Sequence, residues 1–271
     1  ISAAGALVAA AYLLDGAPPA TLALPIGLPG LPMTLALDGL SGFFLLLLML
    51  LGAAAGAAAL DERRPPATAP CLPVFLAAMA LCLLAGDGFT LLLGFELMSL
   101  ASFVLLLSHP GEAAVREAAL LYLGMALFGA ACLIPAFALL GGWDASFAVL
   151  RAHPPQGWRA VTVLVLVLLG AGSKAGLAPL HVWLPPAHAN APGHVSALMS
   201  GAMTSVALYA LIRVLFDLCG PQPLWWSMPL LALGAGGAVL GALRANMEND
   251  IKAVLACSTI ENIGLIVVGL G

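Results

Sequence analysis

From Leu40 to Leu60 the chain carries no charged residue, and apolar runs like this one recur along its whole length. They fall at about 1–14, 40–60, 71–86, 89–108, 118–141, 160–178, 194–217, 225–243 and 251–271, separated by clusters of proline, glycine or charge. A helix needs about 20 apolar residues to cross the roughly 30 Å hydrocarbon core of a bilayer. In that medium only helices and closed barrels satisfy every backbone N–H and C=O. The expected fold is therefore all-α: a polytopic membrane helix bundle with about nine transmembrane helices. Alanine and glycine are dispersed through all of the runs, which suits close packing where lipid gives helices no hydrophobic reason to associate.

Composition excludes the water-soluble alternative. Of 271 residues 62% are apolar and only 8% charged, against about 25% charged in soluble domains, and the mean hydropathy is +1.09. The net charge of −4 and the absence of any basic run exclude nucleic acid as a partner. Cys71, Cys82, Cys132, Cys219 and Cys257 lie in or beside apolar runs without CxxC spacing, so no iron–sulfur or zinc site, no disulfide framework and no cofactor is expected. They read as small packing residues.

The chain begins at Ile1 and stops inside the apolar run 264–271, which reads as a piece of a longer protein. Residues 1–14 lack the charged n-region of a cleavable signal. Residues 15–39 hold five prolines with Asp15 and Asp38 but no Lys or Arg, and read as an extracytoplasmic loop with hairpin character. Two units are expected: 1–37, an N-terminal helix and loop, and 38–271, the transmembrane domain. With 15–39 outside, Arg63, Arg64, Arg116, Arg244 and Lys252 fall inside, and Arg151, Arg159 and Arg213 outside, a weak bias in the direction of the positive-inside tendency.

Ionisable residues inside apolar runs are expensive, at roughly 2.5–3.5 kcal/mol near the bilayer centre, and each is a functional hypothesis. Glu96 sits in an otherwise uncharged run from Phe89 to Leu107, and Lys174 follows the uncharged run Val161–Gly172. A structural ion pair or a group snorkelling from a helix end is the plainer alternative. Pro179, Pro185, Pro186 and Pro192 follow Lys174 closely. Each removes a backbone donor and clashes with the preceding turn, so the helix must break there. Broken helices at membrane depth line protein-enclosed or wet cavities and mark ion paths in transporters. His181, His188 and His194 share this segment and can titrate or bridge water. Their alternative roles are a hydrogen-bonded loop residue or a metal ligand. The 7- and 6-residue spacings match no common metal motif.

Three blocks, GFELMSLASF (94–103), SKAGLAPLHVWLPPAHANAPGHVSA (173–197) and NDIKAVLACSTIENIG (249–264), resemble the proton-translocating antiporter-like subunits. That family comprises the large membrane subunits of respiratory complex I, the Mrp cation/proton antiporters and the membrane subunits of group 4 nickel–iron hydrogenases. SALMSG and STIENIG look most like the hydrogenase-4 component B and formate hydrogenlyase branch. The resemblance implies a fold of two inverted five-helix repeats, each with a broken helix, of which this chain would hold the first. It implies that Glu96 pairs with a lysine, that Lys174 is the lysine before the break, and that Lys252 is the lysine of the DIK motif, all on a hydrated proton path. Glu261 would point about 180° away from Lys252 on a continuous helix. In SGAMTSVALYALIR (200–213) the family commonly has a lysine four residues before the tyrosine, whereas this chain has Ser205. A serine holds no charge but can line a water chain, so Ser205 and Tyr209 are expected on the same side as Lys174.

The implied protein is a proton-pumping, multi-pass subunit of a prokaryotic inner membrane, not itself catalytic. Its partners would be other membrane subunits and a peripheral redox arm. An Mrp-type subunit moving sodium as well as protons, and a structural subunit that conducts nothing, are the alternatives.

Overall fold

The computed structural model describes residues 1–28, 31–60, 68, 70–108, 110–142 and 145–271. Among these, seven helical segments are long and apolar enough to cross a membrane: Gly39–Leu60, Gly88–Leu106, Ala113–Leu140, Trp158–Asn190, Gly193–Leu218, Leu224–Ala245 and Ile251–Leu270. Two further apolar helices stand where the runs at 1–14 and 71–86 place them, Ser2–Leu14 and Cys71–Leu83, each of 13 residues. At about 1.5 Å per residue each spans only ~20 Å. The spanning helices therefore number seven by length, with these two short of the expected nine.

Helix α1 (Ser2–Leu14) packs against α2 (Gly39–Leu60), and an antiparallel hairpin joins them, β1 (Ala20–Leu28) with β2 (Leu31–Leu37), pairing Ala20 with Leu37 and Ala23 with Thr34. The hairpin expected in the proline-rich segment is thus formed. Helices α3 (Cys71–Leu83) and α4 (Gly88–Leu106) make a tight pair, joined by a turn that Asp87 organises. Asp87 accepts from Thr90 N at 2.7 Å as the cap of α4, and from Thr34 N and Oγ1 of β2 at 2.7 and 2.6 Å. One carboxylate therefore meets an orphan donor of the helix start and also fixes the hairpin to the bundle. Asp87 also bridges to Ser146, just before α6 (Phe147–Ala152). The hairpin, the α3–α4 turn and the segment after α5 (Ala113–Leu140) thus share one end of the molecule.

Helix α7 (Trp158–Ala175) packs on α5 and stops at Gly176, whose φ of +84° is a left-handed conformation that L side chains rarely adopt. A 3₁₀ turn, Leu180–Trp183, and the short helix α8 (Leu184–Asn190) follow. The break expected from the prolines is therefore present, with Pro185 and Pro186 in the first turn of α8, where a missing N–H costs nothing. Trp183 Nε1 donates to the Ser173 carbonyl at 2.8 Å, so the turn folds back and satisfies the end of the helix it interrupts. The next span is α9 (Gly193–Leu198), a π-helical turn Met199–Met203, α10 (Thr204–Ile212) and a second π-helical turn Arg213–Leu218. Helices α11 (Ser227–Ala245) and α12 (Ile251–Leu270) form a close final pair. Lys252 Nζ, at the start of α12, donates to Ala191 O at 2.9 Å, which marks the end opposite the hairpin. Arg151 and Arg213 lie at the hairpin end, as the expected arrangement requires. Arg63 and Arg64 lie outside the described residues.

Candidate functional site

The site is built on α4, α5 and α7 around Lys174, the penultimate residue of α7 and 3% exposed. Its Nζ donates to Ser99 Oγ of α4 and to Tyr122 OH of α5, both at 2.6 Å. The same nitrogen lies 4.5 Å from the Tyr122 ring centroid and 5.9 Å from that of Phe95, within the range in which an aromatic face attracts a cation. Trp183 of the 3₁₀ turn packs edge-on against Tyr122, with centroids 5.1 Å apart. The broken segment thereby closes the site over the lysine.

The hydroxyls around the lysine have defined directions. Ser99 Oγ donates to Phe95 O at 2.8 Å, and Ser102 Oγ to Met98 O at 2.7 Å, one turn back on their own helix. With the Ser102 proton committed there, the 2.5 Å contact between Ser102 and Tyr122 has Tyr122 as its donor. Lys174 is therefore held by two oxygens that accept from it and pass their own protons elsewhere. Two of its three N–H groups are thereby used.

Glu96 lies on α4, one turn before Ser99, half-buried, with Oε1 buried and without a hydrogen-bond partner. It is within electrostatic reach of Lys174, yet the two make no direct ion pair. The structure thus brings the sequence-expected acid and base to one place and leaves the carboxylate oxygen unsatisfied.

The three histidines sit beyond the break, all buried. His188 Nδ1 lies 2.8 Å from Ser196 Oγ, while its Nε2, like Nδ1 of His181, is buried without a partner. Lys252 lies near His188, and both border a cavity of about 350 Å³ with Ser196 and Ser200. His188 and Lys252 are therefore a group at the end away from the hairpin, separate from the residues that hold Lys174, and His194 borders a neighbouring cavity with Leu51 of α2. No group of His, Cys, Asp or Glu able to hold a metal ion exists among the described residues.

Ser205 lies half-buried on α10. Its Oγ donates to Gly201 O at 2.6 Å, and the space beside Gly201 is filled by Leu51 of α2. On the same span the Met203 sulfur lies 3.6 Å from Tyr122 OH. Tyr209, one turn further along, meets Phe44 of α2 edge-on and donates its hydroxyl to Leu83 O at 3.0 Å. The residues that sequence reasoning missed are Ser99, Ser102 and Tyr122, which look like ordinary helix residues until the third helix is in place.

This geometry defines the class: an antiporter-like, multi-pass membrane protein with a broken helix, a buried lysine and a half-buried glutamate near it. Residues 85–271 match the family model described as NADH:quinone oxidoreductase/Mrp antiporter, TM, and the chain belongs to that family. It is 46% identical over 203 residues to an uncharacterized protein of Mycobacterium tuberculosis, covering 74% of this chain and 31% of that protein. It is 39% identical over 202 residues to hydrogenase-4 component B of Escherichia coli, covering 73% and 30%. The chain thus spans about a third of the length of these relatives. A subunit in the structure of the Mrp complex from Dietzia superposes with a TM-score of 0.86 at 23% identity, over 99% of this chain and 52% of that one, a likeness of fold.

Proposed function

We propose that this chain is part of a proton-translocating membrane subunit of a hydrogenase-like or quinone-oxidoreductase-like complex of the prokaryotic inner membrane. Lys174 and Glu96 are its proton-exchanging pair, and His181, His188, His194 and Lys252 belong to the connection toward the end away from the hairpin. One observation carries this reading: a buried ammonium beside a helix break, held only by neutral oxygens, with an unsatisfied carboxylate oxygen within its field. A structural ion pair would close on itself. This pair is close enough to feel each other and too far apart to neutralise each other, which leaves both able to change protonation state as water or a neighbouring group moves between them. The chemistry of any redox partner, and whether sodium accompanies the proton, belong to the rest of the assembly.

A non-conducting structural subunit is the second reading, favoured by Ser205, which holds no charge where the family commonly has a lysine.

Glu96 discriminates between them. In full-length protein within its complex, Glu96→Gln keeps shape and hydrogen bonding but removes the charge, and should lower coupled activity at least tenfold. Glu96→Asp should retain a large part of it. Equal proton transport in all three forms at equal subunit abundance leaves only a structural role for Glu96 and overturns the acid–base pair.

A further inference from the structure

A second polar cluster lies at the hairpin end and takes no part in the proton route above. Its centre is Arg213, 4% exposed although it is the first residue of the outer π-helical turn. Nη1 and Nη2 donate to Asp38 Oδ2 and Oδ1 at 2.7 Å each, and Nη1 also to Asp217 Oδ2 at 2.8 Å. Nε and Nη2 donate to Tyr209 OH at 3.2 and 3.0 Å. All five guanidinium donors are thereby used. Arg151 Nε and Nη2 donate to the two oxygens of Asp217 at 2.7 Å, so two arginines and two aspartates balance. Burial alone would raise the Asp38 carboxyl, but the hydrogen bonds from Arg213 and Ser41 hold it down at about 2. It stays ionised at any working pH.

The cluster stands between two spaces. On the inner side, Tyr209 OH donates to Leu83 O at 3.0 Å. Leu83 follows Cys82, which packs against Gly94 of α4 and lies within electrostatic reach of Lys174. On the other side a cavity of about 280 Å³ opens beneath the hairpin, lined by Thr21, Ala36, Asp38, Ser146, Arg151 and Arg213. The direction of the hydrogen bonds between these spaces is fixed. Tyr209 receives two N–H groups from a cation, which occupy its lone pairs, and gives its one proton inward to a carbonyl that cannot pass a proton on. A proton moving outward would have to arrive on that oxygen and then cross a guanidinium that does not deprotonate in proteins. Fixed arginine charges exclude protons from water-conducting pores by the same repulsion.

We propose that Arg213, held by Asp38, is a fixed-charge barrier that closes the proton route from Lys174 against the cavity beneath the hairpin. The proposal rests on the reading of Lys174 as a proton carrier. Arg213 is accordingly a positioning and sealing residue that exchanges no proton itself. Its charge, and not merely its contacts, does the sealing.

The test is the passive collapse of an imposed pH gradient, without turnover, in inverted membrane vesicles carrying the full-length protein and its partners. Two variants remove the charge: Arg213→Gln, and the double change Asp38→Asn with Arg213→Gln, which strands no partner charge. Arg213→Lys keeps the charge while losing the bidentate geometry. Either neutral variant at wild-type abundance should speed collapse about threefold or more, and Arg213→Lys should remain as tight as wild type. A tight membrane in a neutral variant, or an equal leak in Arg213→Lys, overturns the barrier. Adding Lys174→Ala to a leaking variant should restore tightness. A leak that persists there leaves the barrier standing and counts instead against Lys174 as the carrier.

Discussion

Lys174 meets its charge with neutral oxygens rather than with a carboxylate, and this choice sets what each nearby residue contributes. Tyr122 does three things at once: its hydroxyl accepts from Nζ, its ring faces the ammonium, and its edge meets Trp183 of the broken segment. Tyr122→Phe keeps the last two and removes the first. Hydrogen bonds to charged groups contribute roughly 1.5–3 kcal/mol. The expected loss of stability is therefore about 2 kcal/mol, read as a lower unfolding midpoint in detergent, with the helix content of the folded state unchanged. An unchanged midpoint would show that Ser99 alone suffices. Glu96 and Lys174 were legible in the sequence because a charge inside an apolar run stands out. Ser99, Ser102 and Tyr122 were not, because a hydroxyl inside a helix can bond its own backbone and carries no sign of the neighbour it will meet. Arg213 and Asp217, four residues apart, announce a helical pair, but Asp38 is 175 residues from Arg213 and nothing local links them.

At the scale of elements, the apolar runs gave the helices in their order, and the prolines after Lys174 gave the break, because these features act locally on backbone geometry. The hairpin followed from a proline-rich stretch bounded by acids. The π-helical turns of the Gly193–Leu218 span did not follow. A uniform 3.6-residue period across Ser200–Arg213 assumes one continuous α-helix, whereas π-helical turns at Met199–Met203 and Arg213–Leu218 bracket α10 and reset which side each residue presents. Ser205→Lys is informative for this reason. Ser205 is half-buried and its hydrogen bond goes to its own helix backbone, so a new ammonium there would lack a carboxylate partner, a change that destabilises by several kcal/mol. Immunoblots of membranes should show the subunit reduced well below wild type. Normal abundance with proton flux retained would mean that the lysine reaches a polar path on that side of α10.

For the whole molecule, the structure sorts the polar groups into three levels along seven apolar segments. The Asp38–Arg213 cluster lies at the hairpin end, the Lys174 cage at the break, and the His188–Lys252 group at the other end. The family and its helix-bundle fold were readable from three sequence blocks. The division of labour among the levels was not, because it depends on contacts between helices far apart in the chain. The most direct measurement is proton translocation by the full-length protein in its complex with Lys174→Ala, scored beside subunit content in the same membranes. The account predicts nearly complete loss of translocation with assembly retained, since no other side chain in the cage can carry the proton. Translocation near the wild-type level at normal subunit content would contradict it.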